Sequence, residues 1–473
     1  MKNILLINPP LFFSNGEPKT LDVSVPPLGL LYLATYINTY SSDFRAKVID
    51  MGAENFSLSR LSSIMREENP FSIGISSMTP QLQGAVETAQ AVKKVKPDVK
   101  IFLGGPHISA DTDFINRHRA LFDYAITGEA EKSLLESLEN LLHKRPIPVI
   151  QAGQAIEDLD TIPLPDMELI KREKYCKTQS MLFSRGCPFK CYYCSRPSIS
   201  KKVRYRSVEN LIAEIHQTYK HSGGSINFQD DTFTMDRKKI VELCHALQHE
   251  GLKVIWECNT RIDLVDDELL GLMKNAGCSS INFGIESGSE RVRKDVIHKG
   301  DFTNIKIKEV FDQCKRHKIK IVCYFMIGHP TETKSELQET KTMILSSGID
   351  LLGLSIPTPF PGSPLYDLAE KAGIVSTRII DQFAYKKLGE GYTAVYPVYA
   401  PPAIPRDYIF KEMQSINRRF YISPRMFIKR LRKNILSPTS LKKDCIDLGS
   451  MIFRGVTSRK SYIDRKEKGC LQK

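Results

Sequence analysis

Two separate series of short apolar runs restrict this chain to α/β architecture, because each run is closed by a breaker or an acidic residue and is followed by an amphipathic stretch. The first series reads KNILLINPP (Lys2–Pro10), AKVIDMG (Ala46–Gly52), SIGISSM (Ser72–Met78), VKIFLGGP (Val99–Pro106) and DYAITGE (Asp123–Glu129). Helical patterns lie between them, such as Leu82–Pro97, where Ala85, Thr88, Ala89 and Val92 share one face. The alternation predicts a parallel, doubly wound, Rossmann-like sheet over residues 1–140. Loops after the strands of such a sheet form a ligand crevice, and here they carry Pro9, Ser76, Ser77, Thr79, Gly104, Gly105, Gly128 and Glu129. Small residues there let a large planar or phosphate-bearing ligand reach the backbone, although each glycine taken alone reads as a tight turn.

Periodicity is weak over residues 141–178, and DLDTIPLPD (Asp158–Asp166) reads as an extended linker. The second series follows: SMLFSRG, INFQDD, KVIWECN, SINFGIES, IKIVCYFMIG and LLGLSIPTPFPG. Six such runs, several followed by charged helices, predict a complete or partial TIM-type β/α barrel over residues 179–375, with its chemistry at the C-terminal ends of the strands. Residues 376–473 read as a mainly helical C-terminal extension. A chain of 473 residues is in any case too long for one core.

Eleven cysteines would suggest disulfides in an exported protein, but prolines cut MKNILLINPP after one strand's length, unlike a secretory signal. No apolar run approaches the roughly 20 residues of a membrane-spanning helix, so a cytoplasmic location, reduced thiols and a metal site are expected. Three thiols crowd into SRGCPFKCYYCSRP, as Cys187-x3-Cys191-x2-Cys194. Three thiolates hold a 4Fe–4S cluster by three of its irons and leave the fourth for an outside ligand. Zinc is the alternative, with Cys176 as a fourth sulfur, although the spacing is not the paired CxxC of structural zinc sites. Most of the remaining cysteines read as small buried apolar side chains.

With Tyr193 as the aromatic before its last cysteine, CxxxCxΦC at the end of a first barrel strand resembles the signature of radical S-adenosylmethionine enzymes. The resemblance implies that S-adenosylmethionine chelates the open iron. One electron, from a donor such as flavodoxin or ferredoxin, then yields a 5′-deoxyadenosyl radical that takes hydrogen from a small-molecule substrate. It further implies that Asp230 and Asp231 of FQDDTFT meet the amino group, where the family often shows Gly-Gly-Glu. Arg261 of ECNTRID ends the third strand, Glu286 of GIESGSE meets the nucleoside or methionine part, Lys299 the carboxylate, and Tyr324 of YFMIGHPTET the ribose, with His329 where leucine is usual. Read from the residues alone, the two aspartates serve equally as caps of the next helix, and Glu286 as a partner of Arg291 or Arg293.

The landmarks INPP, PPLGLLYLAT, VIDM, GISSMTPQ, LGGPH and ITGE, in that order, resemble the cobalamin-binding domain that precedes the barrel in one branch of that superfamily. This implies that the crevice residues hold cobalamin, with His107 either a contact or a hydrogen-bonding loop histidine. The first loop, NPPLFFSNGE, has no histidine for cobalt, so the resemblance implies a base-off corrinoid. Methylation of an unactivated carbon is the branch's commonest chemistry; cyclisation, ring contraction and oxidation also occur in it. Two other readings stay open, a methylthiotransferase acting on tRNA and a non-catalytic cobalamin or metal carrier. The first usually has another three-cysteine set in its N-terminal domain, and this chain has no cysteine before Cys176.

The net charge of +13 belongs to the tail, where Arg418–Lys473 holds 16 Lys and Arg against four acids. After Pro424, Met426, Phe427, Arg430 and Leu431 share a helical face. Such a helix suits an anionic membrane surface, which makes peripheral contact at the inner membrane face and a lipid or isoprenoid substrate the expectation. RNA is a second anionic partner in principle, but nucleic acid is not expected here. A helix packed on the barrel with solvated charges is the plain alternative.

Overall fold

The computed structural model describes residues 1–19, 25–196, 200, 202–373, 400–426 and 428, and the chain divides into two compact units. The first comprises Met1–Thr260, Gly271–Ser279 and Phe360–Gly389; the second Arg261–Leu270, Ser280–Pro359 and Glu390–Lys473.

The first unit opens with β1 (Lys2–Asn8), the hairpin β2 (Phe12–Ser14) and β3 (Glu17–Lys19), α1 (Leu28–Tyr40), β4 (Phe44–Asp50), α2 (Leu58–Glu68) and β5 (Ser72–Ser76). It continues through α3 (Leu82–Val95), β6 (Lys100–Gly104), the short α4 (Pro106–Ala110) and α5 (Asp113–Arg117), β7 (Tyr124–Thr127), α6 (Glu131–Leu142) and β8 (Ile150–Ala152). The strands pair in parallel in the order β4-β1-β5-β6-β7-β8. Alternation along β1 explains the layers. Leu5 and Ile7 enter the core that holds Leu61 of α2 and Ala85 of α3, while Ile4 and Leu6 enter the core that holds Leu31 of α1 and Leu138 of α6. A strand covered on both faces reads as an unbroken apolar run, and each such side chain contributes about 2 kcal/mol by burial. The chain steps from β1 outward to β4 and back to β5, so the topological switch and its crevice lie at the C-terminal ends of β1 and β5.

The stretch expected as an extended linker contributes more than a connection. It supplies β8 to the sheet edge and places Leu159, Ile162, Met167 and Ile170 in buried clusters. Its strand and 3-10 turns are three residues long, too short to show a period in sequence.

The same unit then runs through β9 (Gln179–Met181), β10 (Ser184–Arg185), β11 (Arg204–Tyr205), α7 (Val208–Ser222), β12 (Ser225–Phe228), α8 (Arg237–His249) and β13 (Ile255–Thr260). Strands β9, β12 and β13 are parallel neighbours in that order, and β10 pairs antiparallel with β11 across the base of the cysteine loop. Helix α7 starts because the Ser207 hydroxyl accepts from Asn210 N, and stops at Gly223 in the left-handed region. After α9 (Asp267–Asn275), β14 (Cys278–Glu286) carries the chain into the second unit, followed by α10 (Asn304–Arg316), β15 (Lys320–Met326), α11 (Lys334–Ser346) and β16 (Leu351–Ser355). There β14, β15 and β16 are parallel in that order. The α/β class, a Rossmann-like domain followed by a partial β/α barrel, is as the sequence indicated.

Helix α12 (Pro364–Lys371) returns to the first unit, and α13 (Arg406–Tyr421) belongs to the second. Helix α13 buries Ile409, Met413, Ile416 and Phe420 at helical spacing and packs on α11 and β16. The start of the basic tail follows it: Tyr421 Oη donates to Leu352 O at 2.7 Å, Arg425 to the Gly348 carbonyl, and Met426 is buried. Residues 418–426 thus take the packed alternative, while Phe427 and residues 429–473, with most of the charge, lie outside the described residues. No described helix is long and apolar enough to cross a membrane.

Candidate functional site

The cysteine loop leaves β10 at Gly186, whose φ of +99° and contact with the Lys202 carbonyl admit no side chain. Cys194 N donates to Cys191 O at 3.0 Å, folding the second and third cysteines into a turn, and Cys187 N donates to Ser200 O at 3.3 Å. Cys191 is buried, and the Cys187 thiol lies 3.8 Å from Thr232 Oγ1. Burial raises the Cys194 thiol pKa, and Cys191 and Cys187 add to the rise, so the three sulfurs sense one another. As it stands, no group of three His, Cys, Asp or Glu side chains among the described residues is drawn to metal-binding geometry. The donor chemistry, three soft sulfurs on one loop, suits three irons of a cluster. Tyr193 is half-buried, edge-on to Tyr192 at 5.8 Å.

The two adjacent aspartates after β12 differ in what they meet. Asp230 is buried and accepts from Phe183 N (3.0 Å), Ser184 N (2.5 Å) and Ser184 Oγ (2.5 Å), so both its oxygens hold the chain just before the cysteine loop. Burial pushes its carboxyl up to about 6 against those three donors. Asp231 is partly exposed and forms a two-oxygen ion pair with Arg196 Nε at 2.7 and 2.8 Å.

Within the first unit the strand ends open onto a cavity of about 310 Å³. Ser76, Gly104, Gly105, Gly128 and Glu129 of the expected crevice line it, with Tyr32 of α1; Arg185, Gly186, Arg196, Ser200 and Asp231 are also part of the lining. Four expected crevice residues lie elsewhere. The Pro9 carbonyl accepts from Gln81 Nε2 at 2.8 Å, and the Ser77 hydroxyl donates to Met78 O at 3.0 Å. Thr79 Oγ1 meets the buried His107 at Nδ1, 3.1 Å away. Burial lowers His107 to about 4. Glu129 is engaged by protein cations: Arg185 Nη1 at 3.1 Å and Arg204, while Arg185 also reaches Glu131 at 2.8 Å and lies over the Tyr32 ring. The sequence reading passed over Tyr32, Glu131, Arg185 and Arg196. Two of these, Arg185 and Arg196, flank the cysteines in the motif itself.

In the second unit, Glu286 ends β14 with φ +70°, a conformation that costs a non-glycine residue about 1 kcal/mol or more, beside an irregularity in the β14–β15 register. Its Oε1 accepts from Lys299 Nζ at 3.1 Å, in place of the Arg291 or Arg293 pairing the residues allowed. Gly284 makes room for this pair, since a Cβ there would stand 2.5 Å from Glu286 Oε1 and 2.7 Å from Lys299 Nζ. Arg261 is buried, bonded to both oxygens of Asp263 (3.0 and 2.7 Å) and to the Lys299 carbonyl, which makes it a brace for the Lys299 loop. Tyr324 is half exposed and packs on Gly353 of β16.

His329 is fully buried, with Nε2 donating to Met326 O at 3.1 Å and Glu286 O at 3.4 Å. Burial lowers it to about 4. The unfolded chain, with an imidazole near 6.5, therefore binds more protons than the folded one below neutrality, and stability falls as pH drops through that window. His329→Leu is expected to remove about 2 kcal/mol of the stability lost between pH 7 and pH 5, measured by denaturant unfolding at both values. An unchanged pH slope would show that the imidazole is not held neutral.

A sheet whose strand ends line one cavity together with Arg185, Gly186, Arg196 and Ser200, which border a three-cysteine loop, defines a protein shaped to hold a large ligand near that loop. Residues 181–344 match the radical SAM superfamily and residues 19–138 the B12 binding domain. The chain is a radical S-adenosylmethionine enzyme with an N-terminal B12-binding domain; its cofactors are a 4Fe–4S cluster, S-adenosylmethionine and cobalamin. It is 29% identical over 447 residues to an uncharacterized methyltransferase of Pyrococcus horikoshii, covering 90% of this chain and 94% of that one. It is 27% identical over 428 residues to the anaerobic magnesium-protoporphyrin IX monomethyl ester cyclase of Rubrivivax gelatinosus, covering 84% and 74%. Its fold is similar to that of the radical S-adenosylmethionine methyltransferase TsrM from Kitasatospora setae, solved with cobalamin and a [4Fe-4S] cluster (TM-score 0.66, 17% identity, 80% of this chain and 76% of that one).

Proposed function

We propose that this enzyme methylates an unactivated carbon of a small molecule, with cobalamin in the first-unit cavity and the cluster on Cys187, Cys191 and Cys194. The observation that carries the reading is the shared cavity, where Ser76, Gly104 and Gly128 of the sheet line the same space as Arg196 and Asp231. When bound, the cofactors supply the radical and the methyl carrier. The chain's part is to hold and aim. Asp231 accepts from the amino group of S-adenosylmethionine, while Asp230, held by Phe183 N and Ser184, fixes the loop and makes no cofactor contact. Tyr193, Glu286, Lys299 and Tyr324 keep their proposed cofactor contacts, and Arg261 acts through Lys299. Among the expected cobalamin contacts we retain Ser76, Gly104, Gly105, Gly128 and Glu129 and set aside Pro9, Ser77, Thr79 and His107.

Anaerobic reconstitution with iron, sulfide, cobalamin and S-adenosylmethionine, followed by reduction and addition of a crude extract of small metabolites, tests the reading. Both 5′-deoxyadenosine and S-adenosylhomocysteine are expected. Formation of 5′-deoxyadenosine alone would favour ring closure, the second reading, which the similarity to the cyclase supports. Bound zinc, or a cluster indifferent to S-adenosylmethionine, would overturn both. A flavodoxin- or ferredoxin-type electron donor and contact with an anionic membrane belong to this proposal on sequence grounds. Failure of anionic liposomes to sediment the protein would remove the second, and with it the lipid or isoprenoid substrate.

A further inference from the structure

We infer that Arg196 is the receptor for an anionic group of the substrate, masked by Asp231 until Asp231 turns to S-adenosylmethionine. The inference rests on the amino-group role proposed above for Asp231.

Three arginines surround this part of the chain, and two are fixed. Arg185 stands between Glu129 and Glu131 at 3.1 and 2.8 Å with its side chain 16% exposed. Arg204 is tied to Glu129 and is 5% exposed. Arg196 is 41% exposed and meets one carboxylate. Both its bonds to Asp231 come from Nε, at 2.7 and 2.8 Å, and among the described residues no acceptor is bonded to Nη1 or Nη2. Nη1 and Nη2 are thus left to an outside acceptor on a side chain that lines the cavity. A planar fork of N–H donors matches the paired oxygens of a carboxylate or phosphoryl group.

Position adds the functional argument. Arg196 N donates to Cys194 Sγ at 3.4 Å, so the cation is carried by the cysteine loop itself. An oxyanion gripped there leaves the remainder of its molecule in the space between that loop and the strand ends. A partly exposed ion pair holds weakly and exchanges readily, unlike the buried pairs of Arg185 and Arg204. When the amino group of S-adenosylmethionine takes Asp231, Arg196 loses its intramolecular anion and gains affinity for an external one. By linkage the anion must in turn tighten S-adenosylmethionine by the same factor.

The test uses the full chain, reconstituted and loaded with cobalamin. Inorganic phosphate and acetate are titrated calorimetrically with and without S-adenosylhomocysteine, which keeps the amino group. At least one anion is expected to bind about fivefold or more tightly when S-adenosylhomocysteine is present. Tightening of phosphate assigns a phosphoryl substrate, and tightening of acetate a carboxylate. Arg196→Gln should abolish the effect and Arg196→Lys restore part of it. Asp231→Asn should give tight anion binding without S-adenosylhomocysteine and no further gain with it, a result that a purely structural ion pair would not produce. Equal affinities in both titrations, or coupling that survives Arg196→Gln, would overturn the inference. The electron paramagnetic resonance of the reduced cluster separates the two failures. If added S-adenosylmethionine leaves the wild-type signal unchanged, the cofactor reading of the site falls; if the signal changes while anion coupling is absent, this inference alone falls.

Discussion

Cys191→Ala is expected to reduce 5′-deoxyadenosine formation by more than about 10³-fold, down to background. With two sulfurs left on the loop, one iron loses its protein donor, and no other cysteine is part of the Cys191–Cys194 turn. The thiol is small and buried, so its loss leaves little more than a methyl-sized gap; the fold should survive with a cost of about 1 kcal/mol. Iron per chain and visible absorption after anaerobic reconstitution are the direct measurements. A variant that keeps the full cluster spectrum and its activity would remove Cys191 from the ligand set, and Cys187→Ala and Cys194→Ala apply the same test to the other two positions.

Asp230→Ala and Asp231→Ala should have different consequences although the residues are neighbours. Removing the Asp230 carboxylate leaves the N–H groups of Phe183 and Ser184 buried without acceptors, at about 1–3 kcal/mol each, so a loss of about 3–5 kcal/mol is expected. Removing Asp231 breaks a partly exposed pair and should cost about 1 kcal/mol or less, while weakening the spectral response of the cluster to S-adenosylmethionine. Denaturant unfolding of the two variants beside wild type measures the first effect and cluster spectroscopy the second. Equal stabilities, with S-adenosylmethionine binding lost in both, would return Asp230 to the cofactor site.

These two acids also show what a sequence can and cannot disclose. Strands such as Ile4–Ile7 and Ile101–Leu103 were readable because a parallel strand covered on both faces leaves a continuous apolar run, and the cysteine spacing was readable because the three thiols lie close together in sequence. The choice between Asp230 and Asp231 was not, since the donors that capture Asp230 lie 46 and 47 residues earlier in the chain. Glu129 was correctly placed at a strand end lining the cavity, but its arginine partners are 56 and 75 residues downstream and no local pattern announces them. His107 read more readily as a hydrogen-bonding loop histidine than as a ligand contact, and its burial against Phe114 and its contact with Thr79 are in keeping with the loop reading.

The network of Glu129, Glu131, Arg185 and Arg204 bears on how such enzymes can be recombined. The acids follow the β7 strand of the N-terminal sheet, and the arginines bracket the cysteine loop on either side, so the apparent seam between two modules is crossed by enclosed charges. A chimera joined near residue 140 with a donor domain lacking those acids would strand two cations in the interior, at about 3–5 kcal/mol for each severed partnership. Corrinoid and iron–sulfur modules of this kind should therefore be inherited, or transplanted, with the four residues as one set.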